Sequence, residues 1–113
     1  KKYFIIVDAG MNDFMRPALY SAKHEIISIL KSKTKINGNI EFVGPICEST
    51  DTFLKYKTFT KIREGNYIAI TNVGAYGSTL SSNYNTRPLA SEIIIKKGKV
   101  KIIRKRQKIS EII

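Results

Sequence analysis

The sequence contains only one cysteine and one histidine among its 113 residues. Because Cys47 has no partner, the chain cannot form an internal disulfide, and a single thiol without a secretory signal is typical of a cytoplasmic protein. His24 has no second histidine or cysteine at ligand spacing, so we assign it to the core or the surface and expect no metal site. No apolar run is long enough to cross a bilayer, and we expect no membrane partner.

Acidic residues are scarce as well: nine Asp and Glu stand against 20 Lys and Arg, which gives a formal net charge of +11. Such a charge is common in proteins that bind nucleic acid or anionic membranes. The basic residues are scattered through loops and strands, however, and the only dense run is Arg104-Lys105-Arg106. No nucleic-acid-binding motif is present, so we expect no nucleic-acid partner. An inactive basic β module that binds anions or nucleic acid is the alternative.

The length suits one domain, residues 1–113, with a single hydrophobic core. The chain opens at Lys1-Lys2 with neither an initiator methionine nor a signal-peptide pattern, and it enters an apolar run at once. We therefore expect it to be a piece of a longer protein.

Runs of β-branched and aromatic residues separated by turn signals predict a mainly β domain. We expect an antiparallel, Greek-key arrangement resembling a barrel or sandwich, with one or two short helices. The last two strands flank Lys97-Gly98, a strong hairpin signal. The predicted strands, about six in number, are residues 3–7, 40–43, 53–59, 67–70, 92–95 and 99–103.

The segment between the first two strands is ambiguous. In residues 16–31 the apolar positions fit a helical stripe, but residues 24–30 could equally form an Ile-rich strand. Asn12 and Asp13 are suited to cap a short helix that begins near Pro17.

One stretch concentrates reactive groups. Residues 43–51 read VGPICESTD, so an apolar run ends at the Gly44-Pro45 turn and is followed by a thiol, two carboxylates and two hydroxyls. Polar residues that follow such a turn lie at a sheet edge, where sites are usually built. The alternative is a small buried cysteine followed by a solvated acidic turn.

A second stretch, Gly74-Ala75-Tyr76-Gly77, brackets one tyrosine with two glycines. Glycines let the backbone come close to another group while the ring projects. The polar loop of residues 78–88 follows, and we expect its Asn83 and Arg87 to be structural, because such a loop needs internal hydrogen bonds.

Three separated blocks coincide with one known family: DAGMNDFMRPALY at residues 8–20, VGPICESTD at 43–51 and GAYGSTLSSNYNTRP at 74–88. Together they resemble the C-terminal domain of the diaminopimelate decarboxylases, which are pyridoxal-phosphate enzymes of the alanine racemase and ornithine decarboxylase fold type. The resemblance covers nearly the whole chain, in order. Two departures are visible: Thr50 stands where a glycine is usual, and Ser78-Thr79-Leu80 replaces a more apolar trio.

The resemblance implies a homodimeric two-domain enzyme whose other domain is an N-terminal (β/α)8 barrel carrying the lysine that anchors pyridoxal 5'-phosphate. The implied reaction converts meso-2,6-diaminopimelate to L-lysine and CO2. Because no cofactor lysine matches within residues 1–113, the chain by itself is expected to be inactive. A related ornithine, arginine or carboxynorspermidine decarboxylase is the alternative within the same fold type.

Five residues are implied as site residues by this resemblance alone. Cys47 corresponds to the proton donor, on a loop that reaches across the dimer interface into the partner's site. Arg16 and Tyr20 correspond to substrate-binding residues, and a spacing of four would place them on one helical face. Glu48 corresponds to the ligand of the distal ammonium, and Tyr76 to a tyrosine that contacts both the cofactor phosphate and the substrate.

Overall fold

The computed structural model describes all 113 residues and contains seven strands and two short α-helices. The mainly β prediction is confirmed. Short 3₁₀ turns lie at Tyr84–Thr86 and Ile109–Glu111. The elements in chain order are β1 (Lys2–Ile6), α1 (Arg16–Tyr20), β2 (Ile26–Ser28), β3 (Lys35–Val43), β4 (Thr52–Thr60), β5 (Ile68–Ile70), α2 (Gly74–Thr79), β6 (Glu92–Lys96) and β7 (Lys99–Arg104).

The strands form three separate sheets, ordered β1-β3-β4, β2-β5 and β6-β7, and they do not close into a barrel. Every pair is antiparallel except β1 with β3, which is parallel and differs from the wholly antiparallel arrangement expected. A parallel pair needs a long return connection. Residues 7–34 provide it, because α1 and β2 lie between the two strands.

The core lies between the β1-β3-β4 sheet and residues 7–34, which follow β1. Phe42 is completely buried, and Phe59 packs edge-on against it with ring centroids 4.8 Å apart. In β4 the exposed Lys55 and Lys57 alternate with the half-buried Leu54 and Tyr56. The buried core cluster comprises Phe14, Ile26, Ile40, Phe42, Phe53 and Phe59.

A register shift lies at the end of the β3–β4 pair, just before the Gly44-Pro45 turn. Phe42 pairs with Leu54, but the next residue, Val43, pairs with Thr52, so Phe53 is an extra residue in β4. Such a bulge bends its strand and re-aims the chain beside it. It therefore helps to direct the loop of residues 44–51 away from the sheet.

The ambiguous segment forms a one-turn helix followed by a short strand. Helix α1 ends where Ser21 adopts a left-handed conformation (φ 54°, ψ 29°), and β2 then pairs with β5. The predicted caps are wrong: Met15 occupies the N-cap position and no side chain caps the helix. Asp13 is already engaged, since its Oδ2 accepts the Gly10 N–H at 2.8 Å.

The predicted hairpin is confirmed, with Lys97 and Gly98 at φ of 50° and 71° between β6 and β7. Two positive φ angles match the twist that a two-residue hairpin needs. Six apolar residues of this sheet are exposed: Ile93, Ile94, Ile95, Val100, Ile102 and Ile103.

The single histidine packs against the core: His24 lies edge-on against Phe14, and its Nδ1 lies 3.2 Å from the Thr71 carbonyl oxygen. Neither helix is long and apolar enough to traverse a bilayer, and no three His, Cys, Asp or Glu side chains cluster as a metal site would require.

Candidate functional site

Buried Asn12 joins the first of the three sequence blocks to the third. Its side chain has no exposed surface, and its Oδ1 accepts a 2.9 Å hydrogen bond from Arg87 Nε. The Arg87 guanidinium also donates to the Asp8 carbonyl and lies 3.6 Å from the Asp13 carboxylate. Arg87 thus makes the internal hydrogen bonds expected of a structural residue.

Buried Asp51 joins the first block to the second. Its Oδ1 accepts the Met11 N–H and its Oδ2 accepts the Ile46 N–H, each at 2.7 Å. The carboxylate fills the space beside Gly44, where an added Cβ would lie 2.2 Å from Oδ2. Only glycine therefore fits at position 44, and the loop carrying Cys47 is fixed to the loop of residues 8–13.

Arg16, Tyr20 and Tyr76 form one cluster. The guanidinium carbon of Arg16 lies 5.7 Å from the centroid of the Tyr20 ring and 5.7 Å from that of Tyr76. The predicted shared helical face of Arg16 and Tyr20 is present, and Tyr76 joins it from α2. Both tyrosines are exposed and neither hydroxyl takes part in a hydrogen bond within the chain. A guanidinium flanked by two free phenols is suited to bind a carboxylate or a phosphate.

The two glycines around Tyr76 differ in role. Gly77 is buried, and an added Cβ would lie 3.2 Å from the Val73 side chain, so close approach here is to the protein's own core. Gly74 has φ of 57° and nothing within 4 Å of an added Cβ. The open space beside Gly74 and the free Tyr76 hydroxyl fit a phosphate group, to which a phenol can donate.

Cys47 and Glu48 are exposed at the tip of a tight loop. The alternative of a buried cysteine is therefore wrong. Glu48 N–H donates to the Ile46 carbonyl at 2.8 Å, and Gly44 N–H donates to the Asp51 carbonyl at 2.9 Å, which closes the loop on itself. A thiol held in this way can meet a group that approaches from solvent or from another subunit.

Glu48 has a partner that the sequence did not predict. Its Oε1 accepts a hydrogen bond from the Tyr84 hydroxyl, and its Oε2 accepts one from the Thr50 hydroxyl at 3.2 Å. This hydrogen bond and the negative charge of Glu48 raise the pKa of Tyr84 above 10.0, with a smaller contribution from desolvation. Tyr84 lies 36 residues from Glu48 in a polar loop, and no spacing pattern marks such a pair.

The predicted site residues thus fall into two groups within one chain. Arg16, Tyr20 and Tyr76 share one cluster, whereas Cys47 and Glu48 lie on a separate loop. No hydrogen bond, ion pair or cation–π contact within the chain joins the two groups. The chain therefore brings three of the five predicted site residues together and holds the other two apart from them.

Comparison with known proteins identifies the class. Residues 1–74 match the sequence profile of the family described as pyridoxal-dependent decarboxylase, C-terminal sheet domain. The chain belongs to this family.

The relatives within the family point to one enzyme. The chain is 49% identical over 111 residues to the diaminopimelate decarboxylase of Helicobacter pylori and 47% identical over 107 residues to that of Aquifex aeolicus. These matches cover 98% and 94% of this chain but 27% and 25% of the relatives. A crystal structure of diaminopimelate decarboxylase from M. jannaschii in complex with L-lysine superposes with a TM-score of 0.89 at 37% identity, covering 96% of this chain and 24% of that one. The chain therefore spans about a quarter of the length of the enzymes it resembles.

Proposed function

We propose that the protein containing this chain is a pyridoxal-phosphate-dependent diaminopimelate decarboxylase, which converts meso-2,6-diaminopimelate to L-lysine and CO2. The observation that carries the proposal is 49% identity to a diaminopimelate decarboxylase over 111 residues that include every predicted site residue. Residues 1–113 then form its C-terminal β domain. The N-terminal barrel and the lysine that anchors the cofactor lie outside this chain.

The Arg16 cluster binds the carboxylate at the substrate's non-reacting centre. The guanidinium supplies the positive charge, and the free hydroxyl of Tyr20 supplies a further donor beside it. The Tyr76 ring lies against the same guanidinium and borders the substrate. Tyr76 also holds the cofactor phosphate. When bound, pyridoxal phosphate supplies the electron sink for the charge left by loss of CO2.

The Cys47 loop completes the reaction. Loss of CO2 leaves the reacting carbon one proton short, and the Cys47 thiol donates that proton to form the new C–H bond. The resulting thiolate takes a proton from water before the next turnover. Glu48 binds the ammonium at the non-reacting centre, so opposite charges on Glu48 and Arg16 bracket the zwitterionic end of the substrate.

The separation of the two groups supports a site shared between subunits. In a twofold dimer the Arg16 cluster of one subunit would meet the Cys47 loop of the other, and symmetry would form two equivalent sites. The exposure of Cys47 and Glu48 suits this arrangement, since a loop that serves a partner must project from its own domain.

The test is direct. Full-length protein supplied with pyridoxal phosphate and meso-diaminopimelate should release CO2 and L-lysine in equal amounts. Ornithine, arginine and carboxynorspermidine are offered under the same conditions. Faster turnover of any of these three than of diaminopimelate would overturn the proposal, as would the absence of lysine.

A further inference from the structure

We propose that Tyr84 is a positioning residue, which holds the Glu48 carboxylate in the orientation that receives the substrate's distal ammonium. The inference rests on the proposed function for the identity of the ligand. It concerns a residue outside the five that the sequence singled out. Four observations on the structure lead to it.

The first observation is that the loop carrying Tyr84 is held from several sides. Ser82 N–H donates to the Asn12 carbonyl at 2.8 Å, and Asn83 Nδ2 donates to the Arg87 carbonyl at 2.9 Å and to Gln107 Oε1 at 2.6 Å. These bonds tie the loop to buried Asn12 and to the segment after β7. The loop that carries the Tyr84 hydroxyl is therefore fixed against the rest of the domain.

The second observation is backbone strain directly after Tyr84. Asn85 and Thr86 both adopt left-handed conformations, with φ of 61° and 56°. This region is unfavourable for residues with a Cβ, most of all for a β-branched one such as Thr86. The surrounding hydrogen bonds hold the loop in this shape, which directs Tyr84 towards Glu48.

The third observation is the way the two oxygens of Glu48 are occupied. Tyr84 donates to one and Thr50 to the other. A carboxylate has about four acceptor positions, so two remain free after these bonds form. An exposed glutamate otherwise loses rotamer freedom when it binds a ligand. Two donors that fix it beforehand remove part of that cost.

The fourth observation is that Glu48 keeps its charge uncompensated. The chain has 20 Lys and Arg, yet its four ion pairs involve Glu41, Asp13 and Glu92 and none involves Glu48. Its partners are two hydroxyls, and Glu48 raises the pKa of Tyr84, so the phenol stays neutral. Neutral donors orient the carboxylate without cancelling the charge that a cationic ligand needs.

The test compares two substrates on full-length enzyme carrying Tyr84→Phe. For meso-diaminopimelate, kcat/KM should fall about tenfold, mainly through a higher KM, as expected when one hydrogen bond to a charged group is removed. For 2-aminopimelate, which lacks the distal ammonium, the loss should be less than about twofold. Tyr67→Phe is the matched control, because Tyr67 is 79% exposed and its hydroxyl has no hydrogen-bond partner in the chain. This control variant should not change kcat/KM for either substrate.

Equal losses on both substrates would show that Tyr84 only supports the fold, and no loss on either would show that it does not assist Glu48. Both results overturn the proposal.

A second readout does not depend on turnover. Full-length protein is labelled with ¹³C at tyrosine Cζ, and Tyr84→Phe assigns the Tyr84 signal. The Tyr84 phenol should ionise above pH 10, and Glu48→Gln should lower its pKa. An unchanged Tyr84 pKa in Glu48→Gln would show that the Tyr84 hydroxyl and Glu48 are not in contact. If wild-type protein does not turn over diaminopimelate, the proposed function fails together with the ligand assigned to Glu48, while the titration still decides the contact.

Discussion

Arg87 Nε donates a 2.9 Å hydrogen bond to Oδ1 of Asn12, a residue 75 positions earlier in the chain and without exposed surface. The same amide group lies within hydrogen-bonding distance of the Ser82 carbonyl through Nδ2. One buried side chain therefore fixes the loop of residues 78–88 against the loop of residues 8–13. The positions of Tyr84 and of the segment leading to Arg16 both depend on it.

Asn12→Ala should destabilise the full-length protein by about 1 to 3 kcal/mol, because it leaves Arg87 Nε without its acceptor and the Ser82 carbonyl without its Nδ2 donor. Asn66→Ala is the matched control: Asn66 also accepts one hydrogen bond through its Oδ1, from the Arg63 backbone N–H at 2.8 Å, but it is exposed. Water can replace that bond, so the control should lose less than about 1 kcal/mol. Urea unfolding measures both. Equal losses would mean that the buried amide is not a structural centre.

Gly44→Ala should reduce kcat because its Cβ would lie 2.2 Å from Asp51 Oδ2 and would force the Cys47 loop to move. Overpacking of this kind costs about 1 to 3 kcal/mol of stability. Gly65→Ala provides the comparison: Gly65 has φ of 84°, so alanine costs backbone energy there, but nothing lies within 4 Å of the added Cβ. That variant should lose stability with unchanged kcat/KM. Unchanged turnover in Gly44→Ala would show that the loop tolerates displacement.

Arg16→Ala in the full-length enzyme should lower kcat/KM for diaminopimelate by about 2 to 5 kcal/mol of transition-state binding, the usual cost of removing one member of a desolvated charge pair. For an analogue without the distal carboxylate, the same substitution should lower kcat/KM far less. Arg16→Lys keeps the charge but not the planar fork, and it should recover part of the loss. The ratio of kcat/KM values for the two substrates is the measurement. A loss of equal size on both would place Arg16 outside the binding of that carboxylate.

Cys47→Ala should lower turnover by about 10² to 10⁴, the contribution expected of a general acid. A full-length variant without the cofactor lysine of the barrel should be equally inactive. When the two are unfolded, mixed equally and reassembled, about half of the dimers should be hybrids, and each hybrid carries one intact site if Cys47 serves the partner. Activity should return to about one quarter of wild type. If hybrids form and stay inactive, Cys47 acts within its own subunit.

The sequence predicted those parts of the site that depend on local spacing. Arg16 and Tyr20 are four residues apart, so any helix over them places both on one face. The Lys97-Gly98 turn was equally predictable, because the positive φ angles of a two-residue hairpin turn strongly favour glycine, which Gly98 supplies. The assignment of Asn12 and Asp13 as helix caps was wrong because both side chains are engaged elsewhere. Asn12 binds Arg87, 75 residues away, and Asp13 accepts the Gly10 N–H and lies 3.6 Å from the Arg87 guanidinium.

Long-range contacts account for the rest. Tyr76 reaches Arg16 because α2 packs beside Phe14 through Gly77, and Tyr84 reaches Glu48 because Asn12 fixes its loop. The parallel β1–β3 pair likewise depends on how residues 7–34 return, which hydrophobic alternation does not encode.

The β6–β7 hairpin has one further consequence, for the colloidal behaviour of the protein. Each of its two strands has one unpaired edge, a template on which a second copy could add its own strand. Lys96, Lys97, Lys99 and Lys101 lie on this hairpin among its isoleucines, so stacking copies edge to edge would bring like charges together. Because salt screens that repulsion over about 10 Å at 0.1 M, the lysines protect the hairpin best in dilute buffer, and concentrated salt would favour fibrous or amorphous self-association.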